Sequence, residues 1–137
     1  MKIVLDTNVI FSAFAAHGLA HAVFELCLQH HESIISQNIL KELEDNFTGK
    51  LKMPAEKSNE ILAFLKEFCL VKKPSILKKP TSRDRSDDHV LGLAIAVNAE
   101  CIISGDHDFL VLKKFKMIPI LSPRQFWEKL RSQPIQG

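Results

Sequence analysis

Apolar residues follow two alternating patterns along the chain. Short apolar runs of the length of buried strands occupy residues 2–5, 33–36, 101–104 and 117–121. Elsewhere apolar residues recur every three or four positions, which is the spacing of amphipathic helices. On this spacing, and on proline and glycine at helix ends, we predict helices directly after Asp6, over 20–29, from about 38 to Gly49, from Pro54 to about Leu70, from Asp88 onwards and over 123–130.

This alternation of strands and helices predicts the fold class. Strands connected by helices favour a parallel sheet that is covered by helices on both faces. We therefore expect an α/β fold, a three-layer α/β/α sandwich around a central, mainly parallel sheet. The 137 residues suit a single domain, with its core over about 1–131 and a tail over 132–137. The basic, proline-containing stretch 72–86 is predicted to be a connecting loop.

Composition narrows the class of protein. A hydrophobic fraction of 46% and a charged fraction of 25% are ordinary for a globular domain. The three cysteines, Cys27, Cys69 and Cys101, are widely spaced in apolar runs and are predicted to be reduced core thiols. An acid at residue 6 interrupts the first apolar run, and no run reaches the roughly 20 residues of a membrane helix. We expect a cytoplasmic protein without membrane contact.

Basic residues are unevenly distributed. The net charge of +2 is too small to indicate a nucleic-acid partner by itself, and most such lysines and arginines are solvated surface groups. One cluster nevertheless leads directly into an acidic segment. Its candidates for contact with RNA phosphates are Lys78, Lys79, Arg83 and Arg85.

Acidic residues stand where predicted strands and helices meet. In parallel sheets, ligands bind beyond the carboxyl ends of the strands, so these junctions converge. Clustered carboxylates repel one another, a cost that a bound cation removes, and oxygen ligands suit Mg²⁺ or Mn²⁺. One or two such ions could support phosphodiester hydrolysis. The candidate catalytic and metal-binding residues are Asp6, Glu42, Asp88 and Asp106, with Asp108 as a further metal ligand.

Each candidate also has a structural interpretation. Asp6 and Asp88 could be helix caps, Glu42 a solvated helix-face residue, and the pair Asp106 and Asp108 the acids of a turn. Ser36 and Ser104 could support the acids through hydrogen bonds or could simply cap strand ends. Other polar residues nearby are assigned to the surface or to structure: Glu44, Asp45, Asp84 and His107.

Four ordered motifs resemble those of PIN-domain (PilT N-terminus) nucleases, including the VapC-like toxins of toxin–antitoxin systems. They are Val4-Leu5-Asp6-Thr7-Asn8-Val9, then Ser36 with Leu40-Lys41-Glu42-Leu43, then Asp84-Arg85-Ser86-Asp87-Asp88, and Ile102-Ile103-Ser104-Gly105-Asp106-His107-Asp108-Phe109. The resemblance runs almost end to end. Ser104 stands where family members often have threonine, and Glu44 and Asp87 leave two ligand positions ambiguous.

The resemblance implies a function. It assigns the family's four acidic positions to Asp6, Glu42, Asp88 and Asp106, and its polar helpers to Thr7, Asn8 and Ser104. It implies a magnesium- or manganese-dependent endoribonuclease, with RNA as substrate, a cognate antitoxin as a partner and a homodimer or higher homo-oligomer as the assembly.

Two other functions remain open at this point. The chain could be a catalytically silent PIN module that binds RNA or a protein partner. A haloacid-dehalogenase-like phosphatase also places an aspartate after its first strand. However, Asn8 replaces that enzyme's second acid, and the chain is short for a cap domain.

Overall fold

The computed structural model describes residues 1–77 and 87–132. Its strands are β1 (Lys2–Leu5), β2 (Glu32–Ile35), β3 (Leu70–Val71), β4 (Cys101–Ile103), β5 (Lys114–Phe115) and β6 (Ile118–Leu121). Its helices are α1 (Thr7–Ala15), α2 (Leu19–His30), α3 (Gln37–Gly49), α4 (Ala55–Phe68), α5 (Asp88–Val97), α6 (His107–Leu110) and α7 (Pro123–Ser132).

The strands form one six-stranded sheet in the order β3-β2-β1-β4-β6-β5. Every pairing is parallel except that of β5 with β6. From β1 the chain builds the sheet outwards through β2 and β3, and it then returns to the other side of β1 with β4. Helices flank the sheet, so the predicted α/β sandwich with a mainly parallel sheet is confirmed.

The elements differ from the sequence prediction in four places. The helix predicted to reach Leu70 ends at Phe68, and residues 70–71 instead form the edge strand β3. Two further short elements were not predicted, helix α6 and strand β5. Each of the three missed elements has at most four residues, too few to show a repeat of hydrophobic spacing. Ser36 and Ser104 lie just beyond strands predicted to include them.

The core fills both sides of the sheet. Ile3, Val4 and Leu5 of β1 are all fully buried, as expected for a central parallel strand. Gly92 of α5 allows a close approach, because a Cβ there would lie 2.1 Å from the carbonyl oxygen of Ser75. Segment 71–77 therefore packs directly against α5, and Ser75 N donates to Gly92 O at 3.0 Å.

Within the part of the chain that the structure describes, no single helix is both long and apolar enough to cross a membrane. Helices α1 and α2 reach that length and hydropathy only together, and they are bent by 111° with respect to each other.

The buried thiols make the first prediction. Burial raises the pKa of Cys27 and Cys69 to about 12 and that of Cys101 to about 11. The thiolate is the reactive form of cysteine. We therefore expect all three cysteines to react with a disulfide reagent at pH 8 at least about a hundredfold more slowly than free cysteine does. The raised thiol pKa values also affect the free energy of unfolding. Below about pH 9 the thiols do not lower it, and it falls as the pH rises towards 12, where they ionise more readily in the unfolded chain.

The control is the same protein unfolded in urea, in which all three thiols should react rapidly. A thiol that reacts in the native protein at the rate of free cysteine would contradict the burial of its strand or helix.

Candidate functional site

The site begins where β1 and β4 end side by side. Leu5 pairs with Ile103 in the sheet register, and Asp6 N donates to Ile103 O at 2.9 Å. Ser104 N continues the ladder to Leu121 O, also at 2.9 Å. The chain leaves the two strands towards different connections, which makes this the switch point of the sheet, the usual place for a ligand in an open α/β fold.

Asp6 is a buried carboxylate at this switch point, with 4% of its surface exposed. Its Oδ1 accepts a hydrogen bond from Thr7 N, and its Oδ2 accepts one from Ser104 Oγ, both at 2.8 Å. Burial raises the pKa of Asp6, these hydrogen bonds oppose the rise, and the charge of Glu42 adds to it. Asp6 also caps α1, so the capping and functional interpretations both apply to it.

The turn after β4 is fixed to the same carboxylate. Ser104 is fully buried, and its Oγ both donates to Asp6 and accepts from Asp106 N at 3.1 Å. Asp106 caps α6, where its Oδ1 accepts from Asp108 N at 3.0 Å. Asn8 Oδ1 accepts from Gly105 N at 2.8 Å. Ser104 thus hydrogen-bonds to both Asp6 and Asp106, and Asn8 to Gly105 in the turn that joins Ser104 to Asp106.

Glu42 joins the site from α3. Thr7 Oγ1 donates to Glu42 Oε1 at 3.1 Å, and His89 Nε2 lies 2.9 Å from the same oxygen. The Glu42 side chain is 41% exposed and that of His89 is 18% exposed. Two partners therefore orient the Glu42 carboxylate, which still reaches solvent. A residue on a solvated helix face would not have such contacts.

His89 is the site residue that the sequence analysis missed. Burial lowers its pKa, but the hydrogen bond to Glu42 and the charges of Glu42, Asp6 and Asp87 outweigh burial, so the pKa is raised. His89 directly follows a predicted ligand at a helix start, and that position was the available signal. Its partner Glu42 is distant in sequence and gave no indication of the contact.

The other predicted residues are placed as follows. Asp88 begins α5 and is partly buried beside His89, whereas Asp87 is the N-cap residue. Ser36 is the N-cap of α3, where its Oγ accepts from Ile39 N at 3.2 Å, so its observed contact is the capping alternative. Lys78, Lys79, Asp84, Arg83 and Arg85 lie outside the described residues.

Two acids assigned to the surface lie there. Glu44 and Asp45 are exposed on α3, and Asp45 pairs with Lys41 at 3.3 Å, one helical turn away. Of the acids near the middle of α3, Glu42 is the one that contacts the switch point.

Hydrogen bonds thus link Asp6, Glu42 and the Asp106 turn, which come from three separate junctions. Over residues 1–77 and 87–132, however, no three His, Cys, Asp or Glu side chains stand close enough together to hold a metal ion as they are placed. The donor set has hard carboxylate oxygens, the ligand type that Mg²⁺ and Mn²⁺ prefer.

Comparison with known proteins gives a family and a fold. The sequence profile of the PIN domain matches residues 2–108. A search of curated proteins finds no match. Among solved structures, VapBC2 from Rickettsia felis, solved bound to a DNA fragment from their promoter, is similar with a TM-score of 0.64 and 16% identity, over 89% of this chain and 98% of that chain.

Two further solved structures are similar. VapBC-1 from nontypeable Haemophilus influenzae has a TM-score of 0.61 and 19% identity, over 90% of this chain and 99% of that chain. FitAcB from Neisseria gonorrhoeae has a TM-score of 0.54 and 16% identity, over 89% and 98%. At these identities the likeness concerns the fold alone. The profile match covers most of the chain and includes the junctions that carry Asp6, Glu42, Asp88 and Asp106, and the chain therefore belongs to the PIN domain family.

Proposed function

We propose that this chain is a metal-dependent endoribonuclease that hydrolyses RNA phosphodiester bonds. One observation carries the proposal: the buried carboxylate of Asp6 is linked through Thr7 to Glu42 and through Ser104 to the Asp106 turn. An isolated helix cap has no need of such links. They are the kind of supporting contact that orients metal ligands and catalytic groups.

The proposed ligands of one or two Mg²⁺ or Mn²⁺ ions are Asp6, Glu42, Asp88, Asp106 and Asp108. Such an ion supplies activation of water and stabilisation of charge on the leaving oxygen. The repulsion among these carboxylates explains why we expect them to close together only around a cation. The burial that raises the pKa of Asp6 disfavours its charged form, and a cation would offset that cost.

Glu42 is proposed to orient the attacking water. Both of its described partners, Thr7 and His89, contact Oε1, which holds that oxygen in place and leaves Oε2 for a water molecule. Glu42 and His89 border a pocket of about 480 Å³, and Lys41 on its rim could contact a phosphate.

The silent PIN module is the alternative that cleavage assays must exclude. Binding of Mn²⁺ in calorimetry without cleavage of RNA would favour it. The phosphatase alternative has less support, because Asn8, at the position of that enzyme's second acid, uses its Oδ1 to fix Gly105.

The replacement Asp6→Asn tests the proposal. We expect RNA cleavage in Mn²⁺ to fall to the background rate, because the central ligand is lost. Without metal at pH 7 the variant should be more stable than the wild type, by about 1 kcal/mol or a few degrees in Tm, because a buried charge is removed. The sign follows from the raised pKa: ionisation of Asp6 costs stability as pH rises through that pKa.

Gel assays of RNA cleavage and thermal unfolding in EDTA and in Mn²⁺ measure these effects. Glu44→Gln, an exposed acid two residues beyond Glu42, is the control and should leave both unchanged. Wild-type cleavage by the Asp6→Asn protein, purified free of other nucleases, would refute the assignment.

Ser104 provides a second test. Ser104→Ala should reduce Mn²⁺ affinity or cleavage by about 10- to 100-fold, because Asp6 and Asp106 N both lose a partner. It should also destabilise the protein by about 1–3 kcal/mol. Ser104→Thr keeps the hydroxyl and should retain activity.

Ser33→Ala is the matched control for Ser104→Ala. Ser33 is a buried strand serine whose Oγ has no hydrogen-bond partner among the described residues, so its loss should cost little. Equal effects of the two alanine replacements would show that Ser104 has no special part in the site.

We further propose that the ribonuclease is the toxin of a toxin–antitoxin pair, in the cytoplasm and with a cognate antitoxin as partner. The sequence resemblance to VapC-like toxins supports this, as do the similar folds of two VapBC proteins and FitAcB. A small neighbouring reading frame with a DNA-binding domain would be the expected antitoxin gene.

Induced expression in a bacterial host tests the toxin role. Wild-type protein should arrest growth, Asp6→Asn should not, and co-expression of the neighbouring frame should restore growth. Normal growth with wild-type protein that still cuts RNA when purified would contradict the toxin role and leave the ribonuclease intact.

A further inference from the structure

A cleft of about 830 Å³ lies beside the acidic site, between the N-termini of α3 and α5 and segment 71–77. This volume is within the range of about 300–1,000 Å³ that is typical of small-ligand sites. Asp88, a proposed metal ligand, and its neighbour His89 are among the residues that line it, so the cleft adjoins the proposed metal site. We refer to it as the α3–α5 cleft.

One wall of the cleft is apolar and well anchored. It consists of Val71, Pro74, Ile76 and Leu77. Lys72 N donates to Ile35 O at 2.9 Å, and Ser75 N donates to Gly92 O at 3.0 Å, so this stretch is attached to the fold at two points. Ile76 is 96% exposed, so its apolar side chain is accessible to a ligand in the cleft.

Two amide side chains also line the cleft. Gln37 and Asn38 are exposed on the first turn of α3, and within the described part of the chain neither side chain has a hydrogen-bond partner. The helix does not need them as caps, because Ser36 already caps it. Each amide offers a donor and an acceptor, the combination that reads the edge of a nucleobase.

The cleft is continuous with the catalytic side. Gln37, Asn38 and His89 also line the adjoining pocket that contains Glu42 and Lys41. Lys72 and Lys73 add positive charge at the cleft. An RNA strand could therefore place a phosphate near Lys41 and Glu42 while an adjacent unstacked base enters the cleft.

We propose that the α3–α5 cleft binds the nucleobase that flanks the scissile phosphate of single-stranded RNA, and that Gln37 and Asn38 determine which base is accepted. The apolar wall and the His89 ring provide surfaces for the base to stack on, and the two amides contact its edge. This inference rests on the proposed ribonuclease function, since it concerns the substrate of the same site.

The test compares two double variants, Gln37→Ala with Asn38→Ala, and Gln29→Ala with Asn59→Ala. The second pair removes the same side chains from exposed positions on α2 and α4 and is the matched control. Each protein cleaves a pool of RNA with random sequence, and the fragment ends are sequenced. We expect wild type and control to prefer one base beside the cut, and the cleft variant to lose that preference by roughly tenfold or more.

A binding measurement separates failure of this inference from failure of the ribonuclease function. Fluorescence anisotropy follows four labelled homotetranucleotides, of A, C, G and U, on proteins that also carry Asp6→Asn to prevent cleavage. The cleft variant should bind the preferred tetranucleotide roughly tenfold more weakly than the control does.

The outcomes differ in what they overturn. Cleavage by wild type with no base preference, or with a preference that the cleft variant keeps, overturns the inference about the cleft alone. If wild type does not cleave RNA, the proposed function fails and binding decides: tetranucleotide affinity that depends on Gln37 and Asn38 supports the cleft, and equal affinity for both variants overturns it.

Discussion

The carboxylate of Asp6 is held away from water at the switch point between β1 and β4, and the contacts of the site offset the cost of burying this charge. A buried carboxylate needs hydrogen bonds or a counter-charge to remain ionised. Thr7 N and Ser104 Oγ supply the hydrogen bonds, and each leads to a further acid. The same contacts that make the buried charge tolerable therefore bring Glu42 and the Asp106 turn towards it.

The burial of Asp6 beside a second carboxylate costs stability in the free protein. An apolar side chain in place of Asp6, next to the fully buried Leu5, would avoid the cost of burying a charge. Instead the charge of Glu42 lies close enough to raise the pKa of Asp6 further, and His89 lies beside Glu42 to balance it in part. Groups that disfavour one another in the free protein are typical of sites that await a charged ligand.

The fold class and the strand ends at which the acids lie could be predicted from the sequence, and particular residues show why. Asp6 and Ser104 each follow a short, wholly apolar run, and parallel strands bring such ends to one edge. The alternation of elements was sufficient for the fold class, whereas β3 and β5 have two residues each and carry no periodic signal. His89 follows a predicted ligand in the sequence, but its contact with Glu42 could not be predicted, because a contact between helices α3 and α5 depends on their packing and leaves no local pattern. The role of Ser36 could not be predicted either, since the local sequence does not distinguish a serine that caps a helix from one that supports an acidic site.

The position of α5 connects the acidic site to the surface that surrounds it. Gly92 lets the backbone of Ser75 lie against the helix, and this contact fixes the wall of the cleft, while His89, less than one turn earlier, faces Glu42. One helix thus contributes both to the orientation of the Glu42 carboxylate, for which we propose a catalytic role, and to the shape of the neighbouring cleft. A small displacement of α5 would alter both together, because a packed interior transmits a shift and does not absorb it. We therefore expect the base selection and the RNA hydrolysis that we propose to be coupled through the position of this helix.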